Sequence, residues 1–272
     1  MAPRKVFYLT MSSFSRQFFL GIKSHATAYQ LIKEHGLWSF FIWPILLSFL
    51  ILWAGAEAID SLATGSIDYI KSLIWDEEKP DGFWAKSMYY FVWFLFKILF
   101  VYTYYLVNKY LVFIILSPVL AIMSERVDRK ITGRDFKFSV IQLYKDVLRG
   151  IAIALRNLFM EYSATLILLL VSVFIPVLAP LYPIAIFFIA SYFYGFAFLD
   201  YNSERYRLSF KESVTLIRKN FALAVGLGTV FSLFFIIPIF GGIIAPVLSC
   251  VAATVVYIKE FRPLSTQEKI EA

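Results

Sequence analysis

The chain of 272 residues has one cysteine, Cys250, two histidines, His25 and His35, and few charges. A lone cysteine excludes an intrachain disulfide and a Cys-x-x-Cys metal site. Two histidines leave little for metal ligation, and there is no His-Glu-x-x-His helix and no phosphate-cradling glycine loop. Gly226-Leu227-Gly228 lies inside an apolar run and lacks the strand and spacing of a dinucleotide motif. The charge-free stretches hold no acidic pair and no histidine, so intramembrane proteolysis lacks its usual groups. These absences predict no enzyme and no cofactor.

Charged residues make up 17% of the chain and hydrophobic residues 60%, whereas a soluble domain is about a quarter charged and half apolar. The apolar residues are concentrated. Residues 36–56, 162–199 and 221–258 contain no Asp, Glu, Lys or Arg, and 87–124 holds only Lys97 and Lys109. Apolar runs of about 18 residues or more read as membrane segments. The basic N-terminal stretch has no isolated apolar core, so no cleavable signal peptide is expected. The net charge of +7 flanks the apolar runs and forms no separate domain, which argues against nucleic acid as a partner.

Charge also predicts topology. The segment 1–36 carries Arg4, Lys5, Arg16, Lys23 and Lys33 against Glu34, and basic residues likewise outnumber acidic ones in 125–161 and 200–220. Segment 60–86 reverses this, with Asp60, Asp68, Asp76, Glu77, Glu78 and Asp81 against three lysines. Basic loops stay cytoplasmic. The expected order is an N-terminal interfacial segment (1–36), a spanning helix (37–59), an external loop (60–86), a second spanning helix (87–117) and cytoplasmic helices (118–161). Two apolar runs follow (162–199 and 221–258), and both termini are cytoplasmic.

Those two runs are broken in the middle, one by Pro176, Pro180 and Pro183, the other by Pro238, Gly241, Gly242 and Pro246. The resulting arms, 163–175 with 184–199 and 222–237 with 243–258, reach roughly 20–24 Å against a ~30 Å hydrocarbon core. They read as helical hairpins that enter from the cytoplasmic face and turn inside the bilayer. The alternative is two complete spanning pairs. Val140, Tyr144, Val147, Ile151, Leu155 and Leu158 form one apolar stripe, and Phe14, Phe18 and Ile22 another, as in interfacial amphipathic helices. Ser209 and Glu212 have capping-box spacing, predicting a helix from Phe210 that runs into the second hairpin. Thr132-Gly133 is a stop signal for the helix through Pro118. The predicted class is an all-α integral membrane protein with two spanning helices, two partly penetrating hairpins and amphipathic interfacial helices.

Ser117-Pro118-Val119, followed by Ser124-Glu125-Arg126-Val127-Asp128-Arg129-Lys130-Ile131-Thr132-Gly133, resembles the segment after the second spanning helix of CysZ-type sulfate permeases, which belong with the etoposide-induced-protein family. Asp200-Tyr201, Phe210-Lys211-Glu212 and Arg218 resemble that family's loop between hairpins, and Pro238 and Pro246 fall where its second hairpin turns. The resemblance implies the same fold, assembly into a homo-oligomer, and sulfate uptake for cysteine synthesis in the inner membrane. One segment departs from the pattern. The family has glycine, an aliphatic residue and one or two arginines before the first spanning helix, whereas this chain reads Gly36-Leu37-Trp38-Ser39.

Three sets of residues are candidates for function. Gly36, Leu37, Trp38 and Ser39, with Lys33 nearby, can offer free N–H groups and a hydroxyl to a small inorganic anion at a helix start, or serve only as an interfacial turn anchored by tryptophan. Lys97 and Lys109, with Asn108, are pore candidates. No 20-residue window of their segment avoids both lysines, so at least one lies at hydrocarbon depth or snorkels. Glu125, Asp128, Arg129, Asp200, Lys211, Glu212 and Arg218 suggest a cytoplasmic collar, structural or anion-attracting. The expected function is a permease or channel for a small inorganic anion in the lipid bilayer. The alternative is a membrane scaffold, which has no need of an intramembrane cation.

Overall fold

The computed structural model describes residues 13–47, 82–133, 140–237 and 240–261, with scattered positions from 49 to 69. The chain divides into two compact units, Met1–Ile45 with Ile114–Ala272, and Leu46–Phe113. Every element among the described residues is helical. In order they are α1 (Phe14–Glu34), α2 (Leu37–Leu47, opening as a 3-10 turn to Phe41), α3 (Phe83–Thr132), α4 (Val140–Phe174), a 3-10 turn (Pro176–Leu181), α5 (Tyr182–Arg205), α6 (Phe210–Lys219), α7 (Phe221–Phe235) and α8 (Phe240–Glu260). Most of segment 60–86 and the later part of 37–59 lie outside the described residues.

The core of the larger unit is built around α7, which is apolar on all sides and buried without interruption from Ala222 to Thr229. Helices α1 and α5 pack on it from opposite directions. The contacts are glycines, because two backbones approach closely only where a Cβ is missing. A Cβ on Gly226 would collide with the Phe18 carbonyl of α1, and one on Gly228 with the Ser191 carbonyl of α5. Two residues turn a helix by about 200°, so the Gly226-x-Gly228 pair serves both neighbours at once. Gly21 answers from α1, where a Cβ would stand 2.6 Å from the Leu227 nitrogen, and Gly195 answers from α5 against the Ala224 carbonyl.

Helix α1 begins at Ser13, whose hydroxyl accepts from the Arg16 N–H at 3.3 Å. It buries Gln17, Gly21, Ser24, His25, Ala28 and Ile32, and leaves Phe14 and Phe19 exposed. The Phe14, Phe18 and Ile22 stripe is therefore not the buried face. On α4, likewise, Tyr144 and Leu155 of the apolar stripe are exposed, while Ile153, Ala154, Asn157, Glu161 and Thr165 are buried. Lipid solvates large apolar side chains, so packing selects small and polar ones. His25 illustrates the consequence. Its Nδ1–H donates to the Gly21 carbonyl at 3.0 Å, so Nε2 accepts from the Ser249 hydroxyl of α8 at 3.1 Å. Burial lowers its pKa to about 4 and keeps the ring neutral.

In α3, Leu116, Leu120, Met123 and Val127 are buried at helical spacing, and Cys250 of α8 donates its S–H to the Leu120 carbonyl at 3.4 Å. Pro118 sits inside this helix and cannot donate to the Ile114 carbonyl. The Ser117 hydroxyl donates there instead, at 2.8 Å. The helix runs on to Thr132 and stops at Gly133, whose φ of 69° is left-handed, as its sequence indicates.

The breaks differ in detail from those expected. The amphipathic stretch and the first hairpin arm are one continuous 35-residue helix, α4. The 3-10 turn at Pro176–Leu181 has no buried residue. The second break is shorter than the 238–242 left between the expected arms: α8 starts at Phe240. Pro246, inside it, costs one helical hydrogen bond near the helix start. Helix α6 carries the predicted capping box but does not run into the hairpin. It ends at Asn220 and meets α7 at 85°. Asn220 serves both ends of that corner, its Nδ2 donating to the Leu216 carbonyl at 2.9 Å and its own carbonyl accepting from Leu223 at 3.1 Å. Leu148–Phe174 (27 residues), Pro176–Arg205 (30 residues) and Gly241–Glu260 (20 residues) are long and apolar enough to cross a bilayer.

Substituting Gly228→Ala is expected to lower stability by at least the ~1–3 kcal/mol typical of overpacking, because the obstacle is backbone. Gly150, where a Cβ would meet only the Ser117 hydroxyl at 4.0 Å, is the control. Gly150→Ala should be neutral or stabilise by about 0.5–1 kcal/mol. Thermal unfolding in mild detergent separates them, and equal midpoints for the two variants would refute the close-contact account.

Candidate functional site

The segment singled out at Gly36 is a tight turn between α1 and α2. Gly36 adopts φ 62° and ψ 34°, a left-handed position that ends α1 after the His35 N–H has closed on the Leu31 carbonyl at 3.0 Å. A Cβ there would meet nothing within 4 Å, so glycine is required for its dihedral angle and not for space. Leu37 and Phe40 point inward and are buried. Trp38 and Ser39 point outward, and Lys33 is exposed one turn earlier. Trp38 stacks on Phe41 with centroids 5.5 Å apart. The Arg126 guanidinium lies over the Phe40 ring, 5.2 Å from its centroid. The turn thus lacks arginine in its own sequence, and α3 brings one to it.

The charged residues resolve into two buried clamps, a surface ion pair, a helix cap and separately placed cations. In the first clamp Asp128, fully buried, accepts from Arg205 Nη1 at 3.2 Å, the Tyr206 hydroxyl at 2.9 Å and the Thr132 hydroxyl at 2.9 Å. Arg205 also donates to the Ser124 carbonyl at 2.7 Å and to the Ser124 hydroxyl. This ties the end of α3 to the end of α5. In the second clamp Asp200 accepts from Arg149 Nη2 at 2.9 Å and from the Ser213 hydroxyl, joining α5 to α4 and α6. Arg149 reaches on to the Leu208 carbonyl.

The remaining members of the set lie apart. Glu125 and Arg129 form an i, i+4 pair at 3.4 Å on the surface of α3, and Glu212 closes the capping box with Ser209. Lys211 is exposed, its carbonyl accepting from the Thr215 hydroxyl at 2.7 Å. Arg218 is exposed in the last turn of α6, within electrostatic reach of Tyr192 of α5. Lys97, Asn108 and Lys109 belong to α3, but their side chains lie outside the described residues. Arg126 and Arg149 were not singled out from sequence. Arg126 stood within the quoted Ser124–Gly133 stretch, but nothing local in that stretch reveals its contact with Phe40.

The apolar helices with outward-facing aromatic and aliphatic side chains, clamped at polar ends, define a multi-pass α-helical membrane protein. The chain belongs to the family described as sulfate transporter CysZ/etoposide-induced protein 2.4, which it matches over residues 25–246. It is 25% identical over 249 residues to a protein named sulfate transporter CysZ from Pectobacterium atrosepticum, a match covering 90% of this chain and 86% of that one. A protein of the same name from Vibrio cholerae serotype O1 is 31% identical over 150 residues, covering 54% of this chain and 59% of its own length.

Removing one partner of a buried ion pair leaves the other charge uncompensated, at a cost of about 3–5 kcal/mol. Asp128→Ala is therefore expected to unfold well below the wild type. The double variant Asp128→Ala with Arg205→Met should recover part of the loss. Glu125→Gln, at the surface pair, should shift stability by about 1 kcal/mol or less. If Asp128→Ala and Glu125→Gln unfold alike in detergent, the clamp is not structural.

Proposed function

We propose that the chain is a sulfate permease of the bacterial inner membrane and not an enzyme. The observation that carries this is the match over nine-tenths of its length to a protein named as a sulfate transporter. The scaffold alternative draws no support from relatives named as transporters. On this reading 37–59 and 87–117 span the bilayer, 60–86 is external, and 118–161 and both termini are cytoplasmic. The runs 162–199 and 221–258 are the hairpins. Neighbouring subunits or lipid cover the exposed first-hairpin tip, where Phe174 and Val177 stand about four-fifths exposed.

The oxyanion is proposed to meet the protein at the Gly36 turn. Exposed Ser39 and Lys33 supply a hydroxyl and a charge there, and Arg126 supplies a guanidinium suited to paired, charge-assisted hydrogen bonds. Lys97 and Lys109 of α3 are proposed to carry the anion across the apolar depth.

Radiolabelled sulfate uptake into proteoliposomes tests the reading. Wild type should accumulate sulfate, Arg126→Gln should transport about tenfold less, and Trp38→Arg should bind sulfate about tenfold more tightly, as expected for one charge-assisted hydrogen bond lost or gained. Uptake no faster than in empty liposomes would sink the proposal. For topology, Cys250→Ser is the background, and single cysteines are placed at Ser72 and at exposed Thr215. An impermeant thiol reagent should label only the first in intact cells, and equal labelling of Thr215→Cys would refute the orientation.

A further inference from the structure

Two arginines remain at the polar end of the bundle after the clamps are formed. Arg156 of α4 lies with its guanidinium over the Phe196 ring of α5, 5.2 Å from the centroid, and donates to Asn157 Oδ1 at 3.0 Å. Arg218 of α6 lies within electrostatic reach of Arg156 and of Tyr192 of α5. Tyr192 is held in turn by Phe196, at 6.0 Å, and by Phe221, stacked at 4.8 Å. Three elements thus bring two like charges into the field of one hydroxyl.

The two like charges repel each other. Asp200 acts on Arg156 through its charge, but it is already occupied by Arg149 and Ser213. Among the described residues no carboxylate is ion-paired with Arg156 or Arg218. A further donor stands beside them. The Asn157 amide is 1% exposed, its oxygen is held by Arg156, and its Nδ2 has no partner among the described residues. A buried amide N–H without an acceptor costs about 1–3 kcal/mol, which an arriving acceptor relieves. The site therefore presents donors and positive charge and needs an anionic acceptor.

Its position narrows the ligand. Tyr192 precedes the Asp200 clamp by two helical turns, about 12 Å along α5. Leu155, Phe159 and Tyr162 of α4 are exposed around Arg156, and Phe221 is exposed beside Tyr192. The arginines therefore stand where the apolar surface gives way to the polar end, the level of phospholipid headgroups in a membrane protein.

We infer that Arg156, Arg218, Tyr192 and the Asn157 amide form a binding site for a tetrahedral oxyanion, either the phosphate of an anionic phospholipid or a free inorganic oxyanion. The site is separate from the Gly36 turn, and the inference does not rest on sulfate transport. Arginine forks match such oxygens in pairs, and the tyrosine hydroxyl and the amide complete the donor set.

The test is binding, so that a failure of transport leaves it intact. The full-length protein in neutral detergent is titrated with phosphatidylglycerol, with phosphatidylcholine, and with sodium sulfate against sodium chloride at matched ionic strength, and its unfolding midpoint is followed. Wild type should be stabilised by phosphatidylglycerol, by sulfate, or by both. Arg218→Gln, an exposed position that should fold normally, should weaken the response about tenfold. Arg156→Gln should do the same, and Arg156→Lys less. Lys23→Gln, an exposed cation on α1, should change nothing. A loss confined to the lipid arm assigns a headgroup, and one confined to the sulfate arm assigns a free anion. If Arg218→Gln and wild type respond equally to both probes, or if wild type responds to neither beyond the chloride and phosphatidylcholine controls, the site does not exist.

Discussion

The larger unit depends on the contact that lets α1 and α5 approach α7. Membrane helices gain little from burying apolar surface against each other, because lipid tails are equally apolar. Close backbone contact is what remains, and it needs positions without a Cβ. Helix α7 provides Gly226 toward α1 and Gly228 toward α5, and each partner has a glycine of its own at the contact. Other tertiary interactions build on these approaches. The Ser191–Ser232 hydroxyl contact at 3.0 Å joins α5 to α7 beside Gly228, and the His25–Ser249 bond joins α1 to α8 one turn from Gly21.

The two buried aspartates act at the next level. Packing brings the ends of α3, α4, α5 and α6 together, but apolar contacts have no strong preference for one alignment. Asp128 and Asp200 impose one, because each is buried and satisfied only when its arginine and hydroxyl donors are in place. This positional demand matters more than the net stability of the pairs, since desolvation offsets much of their attraction. The same clamps alter the electrostatics of the polar end. Two acids are neutralised internally and Glu212 is used at a helix start, and among the described residues no carboxylate is ion-paired with Arg156 or Arg218.

Much of this was readable wherever the signal is local. The capping box at Ser209 and Glu212 and the left-handed stop at Gly133 depend on a few adjacent residues, and both appear as expected. The proline-rich centre of the first apolar run likewise marks a real break at Pro176–Leu181. The apolar stripes of α1 and α4 were recognisable as faces for the bilayer interface, and Phe14, Tyr144 and Leu155 on them stand exposed. Other features were misjudged for physical reasons. The α6–α7 corner was hidden because Asn220 is a weak breaker in sequence and becomes a corner only when its amide and carbonyl serve both helices. Gly226-Leu227-Gly228 could be excluded as a nucleotide loop, but its two-sided packing role requires knowing which helices flank α7.

The candidate anion site shows the same division between local and assembled information. At Gly36 the sequence departs from its family's pattern by having Trp38 and Ser39 where arginines stand. Judged locally, that removes the groups best suited to an oxyanion. The fold brings exposed Arg126 onto Phe40, three residues from Leu37 in the same turn. A guanidinium held over an aromatic face keeps its charge and its edge donors, since the ring engages only its plane. Charge at this turn is therefore supplied through tertiary packing, and the loss of local arginine is not by itself a loss of chemistry. The aromatic platform, in turn, restricts where that guanidinium can reach.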